Sequence, residues 1–121
     1  MLERDIEKAV CDYARKKGLI PYKFTSPNHT SVPDRLFVGS RGLVFFIEFK
    51  APKKTPTAKQ WREIQRLRHL GHNVYVVDNI EEGKNIVLAQ AGVGPFSVSK
   101  EGDPIFAAPR SSDDVAGHGP W

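Results

Sequence analysis

The sequence predicts an α/β sandwich, a mixed central sheet of about four strands flanked by helices. Residues 2–17, 57–70 and 80–91 have helical periodicity, and the stretches between them are short, apolar and β-prone. Residues 43–49, Leu-Val-Phe-Phe-Ile-Glu-Phe, are almost continuously apolar, which is typical of a central strand covered on both faces.

The first helix is predicted over residues 2–17, because Leu2, Ile6, Val10 and Tyr13 recur at spacings of three and four. A strand is expected over 19–24 and a loop over 25–32. The next two strands, 35–38 and 43–49, are joined by Gly-Ser-Arg-Gly, which predicts an antiparallel hairpin.

The second helix is predicted to start at the N-cap Thr57 and to end before Gly71. A strand over 73–77 and a helix over 80–91 follow. Because a helix connects strands 43–49 and 73–77, these two strands should run parallel.

Residues 1–92 are expected to form the domain core. Two short apolar segments, 96–98 and 105–107, predict a small hairpin extension within 93–108. Residues 109–121 are rich in Ser, Asp, Gly and Pro, so we expect a disordered tail.

Composition limits the class of protein. The 121 residues suit one domain, and the single cysteine, Cys11, excludes an internal disulfide and is expected to be a buried, unreactive thiol. The net charge of +4 permits a polyanionic partner. No apolar run has the length of a membrane span, and the charged N-terminus does not resemble a signal peptide, so we expect a cytoplasmic protein.

The strand over 43–49 carries the clearest chemical signal. Glu48 lies among apolar residues, where a bare carboxylate is costly unless it is paired or binds a metal. Lys50, two residues on, should project from the same face of the strand. Asp34 begins the other hairpin strand and can approach Glu48 if the hairpin pairs as predicted.

Two carboxylates and a lysine at one sheet edge suit phosphodiester hydrolysis. The carboxylates can hold Mg²⁺ or Mn²⁺, and the lysine can orient water or stabilise charge on phosphorus. The alternative is a structural salt bridge, Glu48 with Lys50 or Asp34 with Arg35. The apolar strand and the hairpin spacing favour the catalytic interpretation.

At these residues the sequence resembles a known family. Pro33-Asp34 precedes Glu48-Phe49-Lys50 by fourteen residues, as in the core of PD-(D/E)xK nucleases. The ordered set resembles the VRR-NUC branch, which occurs as short stand-alone proteins in phages and bacteria and in a eukaryotic DNA-repair nuclease. Its further matching pieces are residues 3–7, 31–35, 46–52 and 57–60. The resemblance implies a restriction-endonuclease-like fold.

The resemblance also implies roles for single residues. Asp34 and Glu48 would be metal ligands, with the backbone carbonyl of Phe49 as a third. Lys50 would be the catalytic lysine. A glutamate of the first helix would complete the carboxylate set, and Gln60 would face the site.

Helical geometry ranks the first-helix candidates. Glu3 lies about 70° from the centre of the apolar stripe and Glu7 about 110°, so Glu3 is preferred and Glu7 is the second choice. Either could instead be a solvated acid favoured by the helix dipole. Gln60 lies within the apolar stripe of its helix, where an active site or a backbone group could satisfy it.

Six cationic residues are candidate DNA contacts: Arg35, Lys53, Lys54, Lys59, Arg62 and Arg66. The resemblance implies a structure-selective DNA endonuclease of the Holliday-junction resolvase type, acting as a homodimer in DNA repair. Alternatives are a flap or nicking nuclease, a catalytically silent DNA-binding module, and an ordinary α/β domain with a chance motif. Because the sequence contains no nucleotide-binding loop, we expect no nucleotide cofactor.

Overall fold

The computed structural model describes the backbone of residues 1–99 and the side chains of residues 1–92. Its elements are helix α1 (Glu3–Lys16), strands β1 (Ile20–Lys23) and β2 (Arg35–Val38), a 3₁₀ turn (Ser40–Gly42), strand β3 (Val44–Phe49), helix α2 (Ala58–His69), strand β4 (Val74–Val77) and helix α3 (Ile80–Ser99). The predicted α/β class is confirmed for this part of the chain.

The four strands form one mixed sheet in the order β1-β2-β3-β4. Strand β2 pairs antiparallel with β1 and β3, and β4 pairs parallel with β3. The 3₁₀ turn joins β2 to β3, with Arg41 and Gly42 at positive φ angles of 59° and 76°. Both the predicted hairpin and the predicted parallel crossover through α2 are therefore confirmed.

Side chains of β3 alternate between two hydrophobic cores. Phe45 and Ile47 belong to the larger core, which α1 and α3 cover. Phe46 packs with Ile64 of α2 on the opposite face of the sheet. Because Glu48 has the same parity as Phe46, it projects from the face that α2 covers.

Helix α1 buries the stripe formed by Ile6, Val10 and Ala14. Cys11 is also buried, as predicted, and burial raises the pKa of its thiol. A raised pKa disfavours the reactive thiolate, which supports a packing role for this residue.

Helix α3 is longer than predicted. It continues through Ser99, so residues 96–98 are helical and the expected first hairpin strand is wrong. A short apolar run fits a strand or another helical turn equally well, and periodicity alone cannot separate the two. The second expected strand, 105–107, and the tail, 109–121, lie outside the described residues. Among the described residues, no helix is long and apolar enough to cross a membrane.

Gly83 marks a close approach of α3 to α1. A Cβ atom at this position would lie 2.5 Å from Val10 Cγ2 and 3.2 Å from Val77 Cγ1. We expect Gly83→Ala to lower the free energy of unfolding by about 1–3 kcal/mol through overpacking, despite alanine's higher helix propensity. Urea denaturation measures this difference. The exposed neighbouring substitution Asn85→Ala is the control, and an equal or greater stability of Gly83→Ala would contradict the close packing.

Candidate active site

The C-terminal end of β3 places Glu48 and Lys50 side by side. Glu48 is only 2% exposed, and its Oε2 atom lies 3.6 Å from Nζ of Lys50. The Lys50 backbone N–H donates to the carbonyl of Val77 at 2.9 Å, which fixes the chain where β3 ends. The structural alternative to catalysis was a salt bridge between Glu48 and Lys50, and this ion pair is present. The same position at a strand end also suits a catalytic lysine.

Asp34 reaches the same strand end from the other side of the hairpin. Arg35 pairs with Ile47 in the β2–β3 register, and one further step places Asp34 opposite Glu48. The Asp34 carboxylate accepts a hydrogen bond of 2.8 Å from the Phe49 backbone N–H. The hairpin thus brings Asp34, Glu48 and Lys50 together.

Electrostatics at this strand end disfavour two full negative charges. Burial first, and the neighbouring charge of Asp34 second, raise the pKa of Glu48 to about 7, although Lys50 acts in the opposite direction. Burial also raises the pKa of Asp34, against the lowering effect of the Phe49 hydrogen bond. Paired carboxylates with raised pKa values are typical of sites that bind a cation or hold a proton.

The two glutamates of α1 have different surroundings. Partial burial and then the charge of Asp34 raise the pKa of Glu3, and Lys50 lowers it, so Glu3 lies within electrostatic reach of the site. Glu7 instead accepts hydrogen bonds from Arg35 Nε at 2.6 Å and from Lys23 Nζ at 3.3 Å. Both glutamates therefore lie within electrostatic reach of the site, since the charge of Glu7 also raises the pKa of Asp34, and Glu7 is in addition held in an ion-pair cluster.

Gln60 is placed differently from the expectation that it faces the site. The Oε1 atom of Gln60 accepts a hydrogen bond of 2.9 Å from the Thr57 backbone N–H. The backbone N–H of Gln60 donates in return to Thr57 Oγ1 at 3.2 Å. This is a capping box, in which the third helical residue satisfies the N-cap. The side-chain oxygen of Gln60 is thus satisfied by a backbone N–H, as the alternative interpretation predicted. This corrects the expectation that Gln60 faces the site.

The candidate DNA contacts fall into three groups. Arg35 pairs with Glu7 and donates from Nη1 to the Pro21 carbonyl at 2.8 Å, so its guanidinium is already occupied. Lys53 and Lys54 are exposed on the loop that follows the site, where the Lys53 N–H donates to Asp78. The exposed residues Lys59, Arg62 and Arg66 lie along α2.

The sequence did not single out Trp61 for function, yet it lines a groove with these α2 cations. The opposite wall of the groove is the loop over residues 27–31. An aromatic residue inside a cationic helix face was the only available signal. Long-range folding of the loop against α2 forms the groove, and local periodicity does not reveal such contacts.

The donor set at the site consists of oxygen atoms. Within residues 1–99, no three His, Cys, Asp or Glu side chains are gathered as a ready-made metal site. Mg²⁺, however, is often held by one or two carboxylates, with water and substrate phosphate completing its shell. Asp34, Glu48 and the Phe49 carbonyl are therefore the residues that could hold such an ion, with Glu3 nearby.

Fold and site together define an enzyme of the PD-(D/E)xK nuclease class. The chain is 48% identical over 77 residues to "Putative nuclease p44" of Acyrthosiphon pisum secondary endosymbiont phage 1, covering 64% of this chain and 83% of that protein. A solved structure described as "VRR_NUC domain" superposes with a TM-score of 0.66 at 27% identity, covering 70% of this chain and 92% of that one. No family model matches. The chain belongs to the VRR-NUC nuclease family.

The raised pKa of Glu48 predicts a pH-dependent stability. The folded state binds this proton more tightly than the unfolded chain, so the stabilisation is complete below pH 4.5 and is lost as pH rises to about 7. In EDTA at pH 8, we expect Glu48→Gln to raise the free energy of unfolding by up to about 3 kcal/mol.

Urea denaturation at pH 5 and pH 8 measures this effect, with Glu81→Gln, an exposed substitution on α3, as the control. Added Mg²⁺ should stabilise the wild type more than Glu48→Gln. If Glu48→Gln gave no greater stabilisation at pH 8 than at pH 5, the carboxylate would not carry the predicted electrostatic cost.

Proposed function

We propose that the protein is a Mg²⁺- or Mn²⁺-dependent, structure-selective DNA endonuclease. One observation carries the proposal: the buried Glu48 carboxylate, with its pKa raised to about 7, lies beside Asp34 and Lys50 at the end of a central strand. A fold gains no stability from such a cluster, because burial and like charge both penalise it. The presence of this cluster is therefore better explained by chemistry.

Asp34 and Glu48 would hold the ion, with the Phe49 backbone carbonyl as a further ligand and Glu3 as an additional carboxylate. When bound, a divalent ion polarises the phosphodiester and makes a water molecule more acidic. The hydrogen bond from the Phe49 N–H fixes the orientation of the Asp34 carboxylate. Hard oxygen donors of this kind favour Mg²⁺ or Mn²⁺ over softer metals.

Lys50 supplies the positive charge that the reaction needs. Its ammonium group lies 3.6 Å from Glu48, where it can orient the attacking water and stabilise negative charge on the phosphate oxygens. Hydrolysis consumes one water molecule and breaks one phosphorus–oxygen bond. Lys53 and Lys54, directly after the site, would contact the DNA backbone near the cut.

The proposed substrate is branched DNA, with a four-way junction of the Holliday type preferred and a homodimer as the active form. Two symmetric cuts across a junction need two sites related by a two-fold axis, which a dimer provides. The family membership of the chain supports this proposal. A role in DNA repair and a location in the cytoplasm of a bacterial or phage-infected cell accompany it.

Cleavage of a labelled four-way junction in Mg²⁺, Mn²⁺ and EDTA tests the proposal, with flap and linear duplexes as controls. Paired symmetric incisions that require a metal would support a resolvase. Cuts restricted to flaps or to single nicks would assign the same chemistry to a flap or nicking nuclease. Metal-independent binding without cleavage of any substrate would instead indicate a silent DNA-binding module.

The dimer is tested separately by sedimentation of the protein at micromolar concentrations, alone and with junction DNA. We expect a dimeric species under the conditions in which the junction is cut. A monomer that makes both incisions at full rate would overturn the dimer proposal and leave the chemistry unaffected.

A further inference from the structure

A groove on the α2 side of the sheet has features that the cleavage chemistry does not use. The loop over residues 27–31 and helix α2 form the walls of an open groove of about 710 Å³, a volume typical of ligand sites. The lining residues that matter here are His29, Ser31, Lys59, Trp61, Arg62 and Arg66. The groove therefore combines an aromatic ring with several cationic groups.

The charge of the groove favours a polyanion. Lys59, Arg62 and Arg66 contribute three positive charges, and the acidic neighbour Glu63 is bridged to Arg66 at 3.1 Å. A second depression of about 540 Å³ shares Arg62 and Arg66 and continues to Arg68 and His69 at the end of α2. The two depressions form a cationic path along the helix.

Trp61 lies beside this path and presents its ring to solvent. The residue is 36% exposed, so part of its indole ring is open to solvent. The guanidinium carbon of Arg68 lies 5.9 Å from the ring centroid. Arg68 in turn donates from Nε and Nη2 to the Val74 carbonyl, at 3.0 and 2.7 Å, so the cation that contacts the ring is itself fixed.

The groove lies near the catalytic residues. Ser31 in its wall is three residues from Asp34, so their Cα atoms are at most about 11 Å apart. Glu48 also projects from the face of the sheet that α2 covers, the same side as the groove. A strand lying in the groove would therefore pass close to the site.

We propose that this groove binds single-stranded DNA, with one unpaired base stacked on Trp61 and phosphates contacting Lys59, Arg62 and Arg66. The proposal rests on the proposed function for its choice of DNA, and it adds that the enzyme binds unpaired nucleotides beside the scissile strand. Stacking on an aromatic platform requires an unpaired base, which duplex DNA does not offer. A second copy of this chain would bring like charge to a cationic groove.

Fluorescence of Trp61 tests the proposal in the full chain. The sequence contains two tryptophans, so Trp121→Phe leaves Trp61 as the single reporter. In EDTA, a short oligothymidylate should quench this fluorescence, and a duplex of equal length should do so much less. Anisotropy of a dye-labelled oligothymidylate measures the variants that lack this tryptophan. We expect Trp61→Ala to weaken oligothymidylate binding by about 5-fold to 100-fold, the effect of losing one base–aromatic stack, and Trp61→Phe to retain most of the affinity.

Charge contacts give a second readout that does not depend on the tryptophan. The affinity for oligothymidylate should fall with salt concentration, and Arg62→Gln should make this dependence less steep. The magnitude of the slope of log affinity against log salt concentration should drop by roughly 0.7, the value for one phosphate contact on a single strand. Lys16→Gln, an exposed substitution at the end of α1, is the matched control and should leave the slope unchanged. Equal slopes for these two variants, or equal oligothymidylate affinity of Trp61→Ala and wild type, would overturn the groove proposal.

The groove proposal and the nuclease proposal can be rejected independently of each other. Lys50→Ala should lower the cleavage rate by about 100-fold to 1000-fold and leave Trp61 quenching intact. Metal-dependent cleavage by the wild type without any quenching would reject the groove alone. Quenching of Trp61 by oligothymidylate, together with a weaker affinity of Trp61→Ala for a dye-labelled oligothymidylate, in a protein that cuts no DNA, would reject the nuclease and support the groove.

Discussion

Replacing Glu48 with glutamine is expected to reduce metal-dependent DNA cleavage by about a thousandfold or more, because a bound divalent ion contributes several kcal/mol to such reactions. Glutamine preserves the shape of the side chain in its buried position and removes the charge that would hold the ion. Single-turnover cleavage of a labelled junction measures the loss. Mg²⁺ affinity, measured by calorimetry, should fall in parallel.

The matched control for this variant is Glu81→Gln on α3, which removes an exposed carboxylate outside the site. It should cut at a rate close to that of the wild type. Cleavage by Glu48→Gln at near wild-type rate, in a protein whose melting curve shows it to be folded, would exclude Glu48 as a metal ligand.

Replacing Lys50 with alanine is expected to lower the cleavage rate by about 100-fold to 1000-fold, the loss typical of removing one group that stabilises transition-state charge. Lys50 does not supply a metal-binding oxygen, so Mg²⁺ binding should remain. The loss should therefore appear in the maximal rate and leave DNA affinity largely unchanged, which separates a catalytic lysine from a structural one.

Lys50→Arg gives a conservative comparison at the same position. Arginine keeps the positive charge beside Glu48, so its cleavage rate should lie between those of the wild type and Lys50→Ala. If Lys50→Ala lost only DNA affinity and kept its maximal rate, Lys50 would be a phosphate contact outside the chemistry.

The sequence predicted the elements that local patterns determine. The Gly-containing turn and the apolar run over 43–49 identified the hairpin, and Thr57 identified the start of α2. Asp34 and Glu48 were predicted to approach each other from the hairpin alone, and the register places them opposite. A strand pair joined by a short turn leaves little freedom, so its side chains can be placed from sequence.

Side-chain partners were harder to predict, because several interactions compete for one side chain. Gln60 could reach an active site or its own N-cap, and the capping box with Thr57 formed. Arg35 pairs with Glu7, twenty-eight residues away, a contact that the sequence did not predict. The outcome in each case depends on hydrogen-bond partners in three dimensions, which spacing along the chain does not specify.

Cleavage of a labelled branched DNA by wild type and Lys50→Ala, side by side in Mg²⁺ and in EDTA, tests the central claim most directly. A nuclease centred on Asp34, Glu48 and Lys50 predicts cutting by the wild type in Mg²⁺ alone, with Lys50→Ala folded, able to bind the DNA and almost inactive. Equal cutting by both proteins, or cutting that persists in EDTA, would contradict it.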